Sequence, residues 1–482
     1  MKYLKFLVIA VVILFLAGVA GYFAWFHNPY EHTLQLDPVS VYGDRPEGFL
    51  LTNVNIVDVE SGTLSEAQHL FVREGVIEDI FTGPIPDSLS NAYPVMDASG
   101  KFIMPALIDM HAHLNTGGLI PPDESGRLMA LEQYARYGVG LVYTLGGHGF
   151  NQEVTRDLIQ KQKNREIVAP LIYATGDIFT APGGYPIEMI SMMSGVSVDK
   201  IDLAEEGVIV VDDETDLVKL ISIQKELGMN GIKVMVETGL GGGPEIPRLS
   251  TEIIRNIVEI ASEQQLTVFA HVTRQADFED AIDAGVHVIG HTVGDQLLTN
   301  ADSYFDKMRE NHIYYTPTLS IAYIPQYVAT AEVLDDPFML KYSSERTVRS
   351  LRSWLVRKLM LSMIEFDAES VLENMLQNFV LFHEAGVPVL MGADAGNPSV
   401  MPGYSAHREL EYMVAGGMSV TDALRSATID PARFLGHEDR MGSIAEGKSA
   451  SFLLLERNPL EDVRNTQTIE RVMLEGYWLE NK

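Results

Sequence analysis

The chain of 482 residues contains no cysteine, so no disulfide can staple it and no thiolate can hold a metal. Any metal site must be built from His, Asp, Glu or a modified side chain. Positive charge is scarce too. Lys and Arg number 35 against 66 Asp and Glu, a formal net charge of −31 with a pI near 4.7. That balance argues against a nucleic-acid partner and against docking on anionic lipid through basic patches. Internal repeats and low-complexity tracts are also missing, which excludes a solenoid or a long disordered linker.

Long uncharged runs are confined to one place. "FLVIAVVILFLAGVAGYFAWF", residues 6–26, is 21 residues without a charge. That matches the roughly 20 residues a bilayer-spanning helix needs. Tyr22, Phe23, Trp25 and Phe26 gather at its distal end as an interfacial belt would. Lys2 and Lys5 are the only charges before residue 28, so the positive-inside rule keeps the amino terminus cytoplasmic. The expectation is a single-pass anchor over 1–27 with the catalytic body extracytoplasmic; a cleaved signal peptide is the alternative. Lipidation at the "LAGV" stretch is excluded, because Val19 stands where a cysteine would be needed.

Residues 28–47 are polar and unpatterned and read as a tether. From residue 48 short alternating runs are broken by Ser-Gly and Glu-Gly turns, and a similar pattern returns at 440–482. Residues 48–103 and 440–482 are therefore expected to form one small β-sandwich domain from both chain ends. The middle, 104–439, alternates differently. Short apolar runs at 106–111, 139–145, 170–175, 231–236, 267–271, 286–291, 313–318 and 387–394 are mostly separated by helical stretches. Eight strands alternating with helices predict an α/β fold of the (β/α)8 TIM-barrel type. A doubly wound sheet is the alternative, but no GxGxxG follows the first strand. The long interval 319–385 reads as amphipathic helices, forming either a lid or an outer layer.

Chemistry in such a barrel sits at the carboxyl ends of the strands. "PALIDMHAHL" ends strand 1 in His111 and His113, whose side chains at i and i+2 look to one face. Alone, that pair is half a metal site or merely a solvated strand end. Strand 4 carries Lys233 in "GIKVMVETG", and a lysine in an apolar strand is costly unless paired with a carboxylate or modified. Strands 5, 6 and 8 end in His271, His291 and Asp394.

"PALIDMHAHL", "GIKVM", "VFAHV", "IGHTV" and "GADAGNP", in this order, resemble the metal-dependent amidohydrolase superfamily. They are similar to its branch in which two metals are bridged by a carboxylated lysine, the prolidase and imidazolonepropionase-like group. The closing "SATIDPARFLGHEDRMGSIAEGKSASFLLLERNPLEDV" is similar to that family's return into its β domain. The resemblance implies two divalent metal ions, zinc being the expected one. His111, His113 and Asp394 would bind the first and His271 and His291 the second, with the carbamate of Lys233 between them. It implies hydrolysis of a C–N amide bond in a dipeptide or N-acyl amino acid by a metal-bridging hydroxide, with Asp394 moving the proton. Lactone or phosphoester hydrolysis by the same metals, or a metal-free scaffold protein, are the alternatives. Two departures bear on substrate. Strand 2 ends in "GLVYTLGGHG" rather than "TTVRD", and "TAPGGY" puts Tyr185 where related sequences often have histidine. His148 and Tyr185 are the candidate substrate contacts. His407 also matches the family and is expected to be scaffold. The expected partner is a small molecule or short peptide, with the membrane reached through the N-terminal helix and a homo-oligomer left open.

Overall fold

The computed structural model describes residues 45–118, 123–147, 149, 151–239, 243–362, 364 and 366–479. The apolar segment 6–26, most of the tether and His148 lie outside these residues. Among the described residues no helix is long and apolar enough to cross a membrane.

The amino-terminal strands are β1 (Gly48–Asp58), β2 (Thr63–Arg73), β3 (Val76–Phe81), β4 (Val95–Asp97) and β5 (Phe102–Pro105). A two-residue turn joins β2 to β3, with Glu74 at φ 49° and Gly75 at φ 75°. Both residues are left-handed, the geometry whose twist matches an antiparallel hairpin, and glycine adopts it at no steric cost.

The central region runs through β6 (Leu107–Ala112), β7 (Val139–Thr144), β8 (Leu171–Ala174), β9 (Ile178–Thr180), β10 (Val208–Val210), β11 (Gly231–Met235), β12 (Thr267–His271), β13 (Val288–Gly290) and β14 (Tyr314–Thr316). All pairings among them are parallel, in the orders β6-β7-β8 and β10-β9-β11-β12-β13-β14. Strands covered on both faces read as near-continuous apolar runs, and in β6, β11 and β12 the buried polar exceptions are Asp109, His111, Lys233 and His271. Helices cover the outside. In the helix Thr251–Glu263, Ile254, Ile257, Val258 and Ala261 are buried at helical spacing, and Ser250 Oγ accepts the Ile253 amide at its start. Burying Ile254 and Ile257 completely contributes about 1.5–3 kcal/mol each.

The two parallel sheets are stitched into one curled sheet. The third expected strand is interrupted: β8 pairs with β7, while β9 pairs with β11. The Asn230 amide donates to the Ala174 carbonyl at 2.7 Å and links β8 to the start of β11. The expected eighth strand over 387–394 is not a strand. Only Val389 and Ala395 make bridge pairs, with Tyr315 and Ala112. The rest is held by single hydrogen bonds, from Leu390 N to Tyr315 O, from Met110 N to Met391 O and from Asp394 N to His111 O. The reason is local: Pro388 has no N–H, and Asp394 at φ 52° breaks the pleat. The segment still fills the gap between β14 and β6.

Three late strands, β15 (Phe452–Leu455), β16 (Ile469–Leu474) and β17 (Tyr477–Trp478), join the amino-terminal ones in the order β17-β16-β15-β5-β1-β2-β3, with β4 on β1. Both chain ends thus share one hydrogen-bonded sheet. Its core includes Leu51, Val54, Leu70, Ile103, Phe452 and Leu454.

The interval 319–385 is helical and packs as a layer with its own small core. Val328, Leu334, Met339, Val348 and Met360 cluster with Tyr137, Met401 and Tyr404. Thr347 Oγ1 lies 2.8 Å from Thr116 Oγ1, so this layer abuts the loop that leaves β6.

His407 is completely buried in the helix Tyr404–Ala415. Its Nε2 donates to the Tyr137 carbonyl at 2.8 Å, and its Nδ1 lies 2.9 Å from Thr466 Oγ1. Burial holds the imidazole down at about 4, so it is neutral at pH 7. It ties the outer layer of the curled sheet to the turn before β16. His407→Ala is expected to destabilise the protein by about 1–3 kcal/mol while leaving metal uptake unchanged; thermal unfolding and equilibrium dialysis measure the two effects separately.

Candidate metal centre

Parallel strands end at similar heights, so their terminal side chains meet over one end of the curled sheet. His111 leaves β6, Lys233 lies within β11, His271 closes β12, His291 follows β13 and Asp394 sits in the segment that bridges to β6. The rings of His111 and His291 lie 4.6 Å apart by centroid, those of His271 and His291 4.3 Å, and those of His111 and His113 5.9 Å. Asp394 Oδ1 is 2.8 Å from His113 Nε2 and 3.6 Å from His111 Nε2, and Oδ2 is 3.6 Å from His291 Nδ1. One ligand atom from each of His111, His291 and Asp394 falls within 4.8 Å of the others. The sequence reading set His111 and Asp394 with one metal and His291 with the other, and the three lie side by side here. All six residues converge nevertheless.

A second ring of contacts orients the imidazoles. His113 Nδ1 donates to the Gly146 carbonyl at 2.5 Å; His111 Nδ1 lies 3.3 Å from Thr316 Oγ1, and His291 Nδ1 2.9 Å from Thr318 Oγ1. Such outer partners fix which ring nitrogen is left for a metal. Here they leave Nε2. The Nε2 atoms of His111 and His291 and the Nζ of Lys233 are buried and have no hydrogen-bond partner. Three unsatisfied buried polar atoms beside a buried carboxylate are costly unless a cation completes them. The residues present therefore fit a divalent metal site.

Electrostatics agree with that fit. Burial pushes the Lys233 amine down to about 7, with the Asp394 carboxylate pulling the other way. Burial also holds His111 and His291 well below the usual imidazole range, with the Lys233 cation and neighbouring imidazoles adding to it. His271 is lowered by burial against the pull of Glu237. Neutral imidazoles are the form that ligates metals, and a neutral amine is the form that takes up carbon dioxide.

Of the expected substrate contacts, Tyr185 is half-buried and stacks on His271 at 5.1 Å between ring centroids, and its hydroxyl points at Met189 Sδ, 3.3 Å away. His148 lies outside the described residues.

Two acids escaped the sequence reading. Glu237 is 1% exposed, its Oε2 lies 3.4 Å from His271 Nε2, and it accepts from Gly239 N and Thr273 Oγ1, both at 2.6 Å. Burial works against its charge, but His271, Thr273 and Gly239 hold the carboxyl below the usual range. It stands four residues after Lys233 in "GIKVMVETG", just past the end of β11, and that even spacing along the strand direction was the available signal. Asp109 is fully buried below His111 and accepts from the amides of His111 and Ala393, fastening β6 to the bridging segment. Its carboxyl is pushed up to about 7 by burial.

The amidohydrolase family model matches residues 102–479. The chain belongs to the amidohydrolase family. Ochratoxinase from Aspergillus niger is 26% identical over 389 residues, covering 75% of this chain and 72% of that protein. Imidazolonepropionase from Vibrio vulnificus is 23% identical over 440 residues, covering 84% and 90%. In three dimensions the chain is similar to the crystal structure of a Xaa-Pro dipeptidase. The TM-score is 0.70 and the identity 24%, over 90% of this chain and all of that one. This amidohydrolase is an enzyme of the class that hydrolyses carbon–nitrogen bonds.

Backbone contact at the centre leaves no room for a methyl group at Gly392. A Cβ there would lie 2.6 Å from His111 Cβ and 2.9 Å from His111 N. Gly392→Ala is expected to cost about 1–3 kcal/mol by overpacking and, unlike His407→Ala, to lower metal uptake as well. Full uptake in equilibrium dialysis would mean that β6 yields without disturbing His111.

Proposed function

We propose that this amidohydrolase uses two divalent metal ions, zinc being the expected pair, to cleave the amide bond of a dipeptide or N-acyl amino acid. The observation that supports this reading above all others is the set of buried, unpartnered His111 Nε2, His291 Nε2 and Lys233 Nζ beside Asp394. His111, His113, His271, His291 and Asp394 would hold the ions, with the carbamate of Lys233 between them. Bound dications supply a Lewis acid for the substrate carbonyl and make water a better nucleophile at neutral pH. The names of the relatives, an ochratoxinase and an imidazolonepropionase, and the Xaa-Pro dipeptidase fold favour a small amide substrate.

Lys233 supplies the bridge by chemistry its surroundings favour. Its amine, lowered to about 7 by burial, would add to carbon dioxide with loss of one proton, and the two-oxygen anion so formed would suit adjacent cations. Asp394 does the proton work. Amide nitrogen leaves poorly as an anion, so a base must take a proton from the attacking water and return it to the departing nitrogen. A carboxylate oxygen of Asp394 lies among the imidazoles and is suited to both transfers. Tyr185 and His148 are the proposed substrate contacts.

Lys233→Ala is expected to lose metal and turnover together, with short carboxylic acids plus metal restoring part of both. A variant that keeps two metals and near-full turnover would reduce the lysine to a structural role. Asp394→Asn, reloaded with metal, is expected to turn over about 10²–10⁴-fold more slowly on an amide with a poor leaving group. Retention of rate there, with loss in His148→Ala, would move the proton shuttle to His148. A screen of dipeptides and N-acyl amino acids with zinc-loaded protein tests the substrate class.

The catalytic body is proposed to lie outside the cytoplasmic membrane, tethered by residues 6–26, because Lys2 and Lys5 are the only charges preceding residue 28. A reporter active only in the cytoplasm, fused to the carboxyl terminus, should stay silent in intact cells.

A further inference from the structure

We infer that Glu409 is a positioning residue for His291, acting through the turn that follows β14. The inference rests on the metal reading above, since its consequence is read at the metal site. Glu409 sits in the helix Tyr404–Ala415 and is completely buried. Its carboxylate accepts three hydrogen bonds from one turn. Oε1 takes Leu319 N at 2.6 Å, and Oε2 takes Ser320 N at 2.8 Å and Ser320 Oγ at 2.7 Å. These donors directly follow Thr318, whose backbone stands at φ 50°, ψ 43°.

A β-branched residue in the left-handed region is strained, by about 1–3 kcal/mol, and persists only where the surroundings impose it. Glu409 imposes it by fixing the two amides next along the chain. From the other side, Thr292 Oγ1 donates to the Pro317 carbonyl at 2.9 Å. The strained conformation delivers Thr318 Oγ1 to within 2.9 Å of His291 Nδ1. His291 is itself left-handed at φ 75°, so its backbone does not aim the ring without help. That contact fixes the ring with Nδ1 also 3.6 Å from Asp394 Oδ2 and Nε2 buried without a partner. A fully buried carboxyl group that commits three hydrogen bonds to one turn is explained if that turn must not relax. Relaxation of Thr318 to an ordinary conformation would carry its hydroxyl away and free the imidazole to rotate.

Glu409→Gln keeps the shape and replaces one acceptor oxygen by a donor, so the contacts to the turn cannot all survive. The test is zinc titration of the full chain against a chromophoric chelator, alongside the visible spectrum of the cobalt-loaded protein. The expected result is an affinity about 10–100-fold weaker for one of two metal equivalents, with an altered cobalt spectrum. Thr318→Val should do the same, and the double variant should be no worse than the more affected single one, because both cut the same connection. Ser320→Ala, which removes one of the three bonds, should give a smaller loss in the same direction. Wild-type affinity and spectrum in Glu409→Gln, with only a lowered unfolding temperature, would overturn the inference while leaving the metal reading intact. No metal uptake by the wild-type chain would overturn both. Should Glu409→Gln fail to fold, Ser320→Ala and Thr318→Val decide, and unchanged affinity in either overturns it.

Discussion

Everything at the working end of this protein follows from one costly act, the burial of an amine, a carboxylate and a group of imidazoles around a single point. Lys233 is 2% exposed, His111 0% and His291 3%. Groups like these cost several kcal/mol each when removed from water without partners. The fold accepts that cost at the strand ends because the same parallel register that makes a curled sheet also brings those ends together. Protonation cannot relieve it either, since burial holds the imidazoles neutral. A multivalent cation would relieve it, and the outer nitrogens, held by Gly146, Thr316 and Thr318, are already committed elsewhere.

Of the thirteen non-glycine residues with positive φ among the described residues, three lie at the same place. His291, Thr318 and Asp394 all have positive φ, and none is glycine. Each follows one of the last apolar runs of the sheet, so the chain turns left-handed where an ordinary strand would run on. Hydrogen bonds hold each in place, from Asp394 N to His111 O at 2.7 Å, from His291 N to Thr316 O at 3.0 Å, and from the two amides after Thr318 to Glu409. A left-handed histidine, threonine and aspartate persist together only because these bonds over-determine their conformations.

The centre was legible in the sequence to an unequal degree. His111 and His113 could be read from period-2 geometry, and Lys233 from its cost in an apolar strand. Their meeting with His271 and His291 followed from the order of strands. The eighth segment was legible as an apolar run but not as a bridge without strand pairing, since nothing in "VPVLMGAD" announces a left-handed aspartate. Glu237 was passed over because an acid just after a strand looks like an ordinary turn residue; only the folded chain shows it 1% exposed against His271. The close spacing of His111, His291 and Asp394 was not legible at all. It depends on how β6, β13 and the 387–395 segment lean on one another, and residues so far apart in sequence carry no local record of that. The same holds for the 319–385 layer, whose helices were foreseeable and whose seat against Tyr137 and Thr116 was not.

Exposure at the centre is uneven, and the unevenness indicates how a substrate would approach. His113 keeps 22% of its side chain exposed, and Tyr185 is only half-buried, while the remaining ligands are closed off. The open side is therefore the one bordered by the loops after β7 and β9. Those are the loops in which the sequence departs from the related pattern, with "GLVYTLGGHG" and "TAPGGY". In a fold whose strand ends carry the chemistry, loop changes alter which molecule reaches it without altering what is done there. Tyr185 shows how closely the two are joined, since the ring that faces the opening also stacks on His271. If Tyr185 contacts substrate and His271 holds a metal, as proposed, recognition and reactivity would meet at that stacked pair.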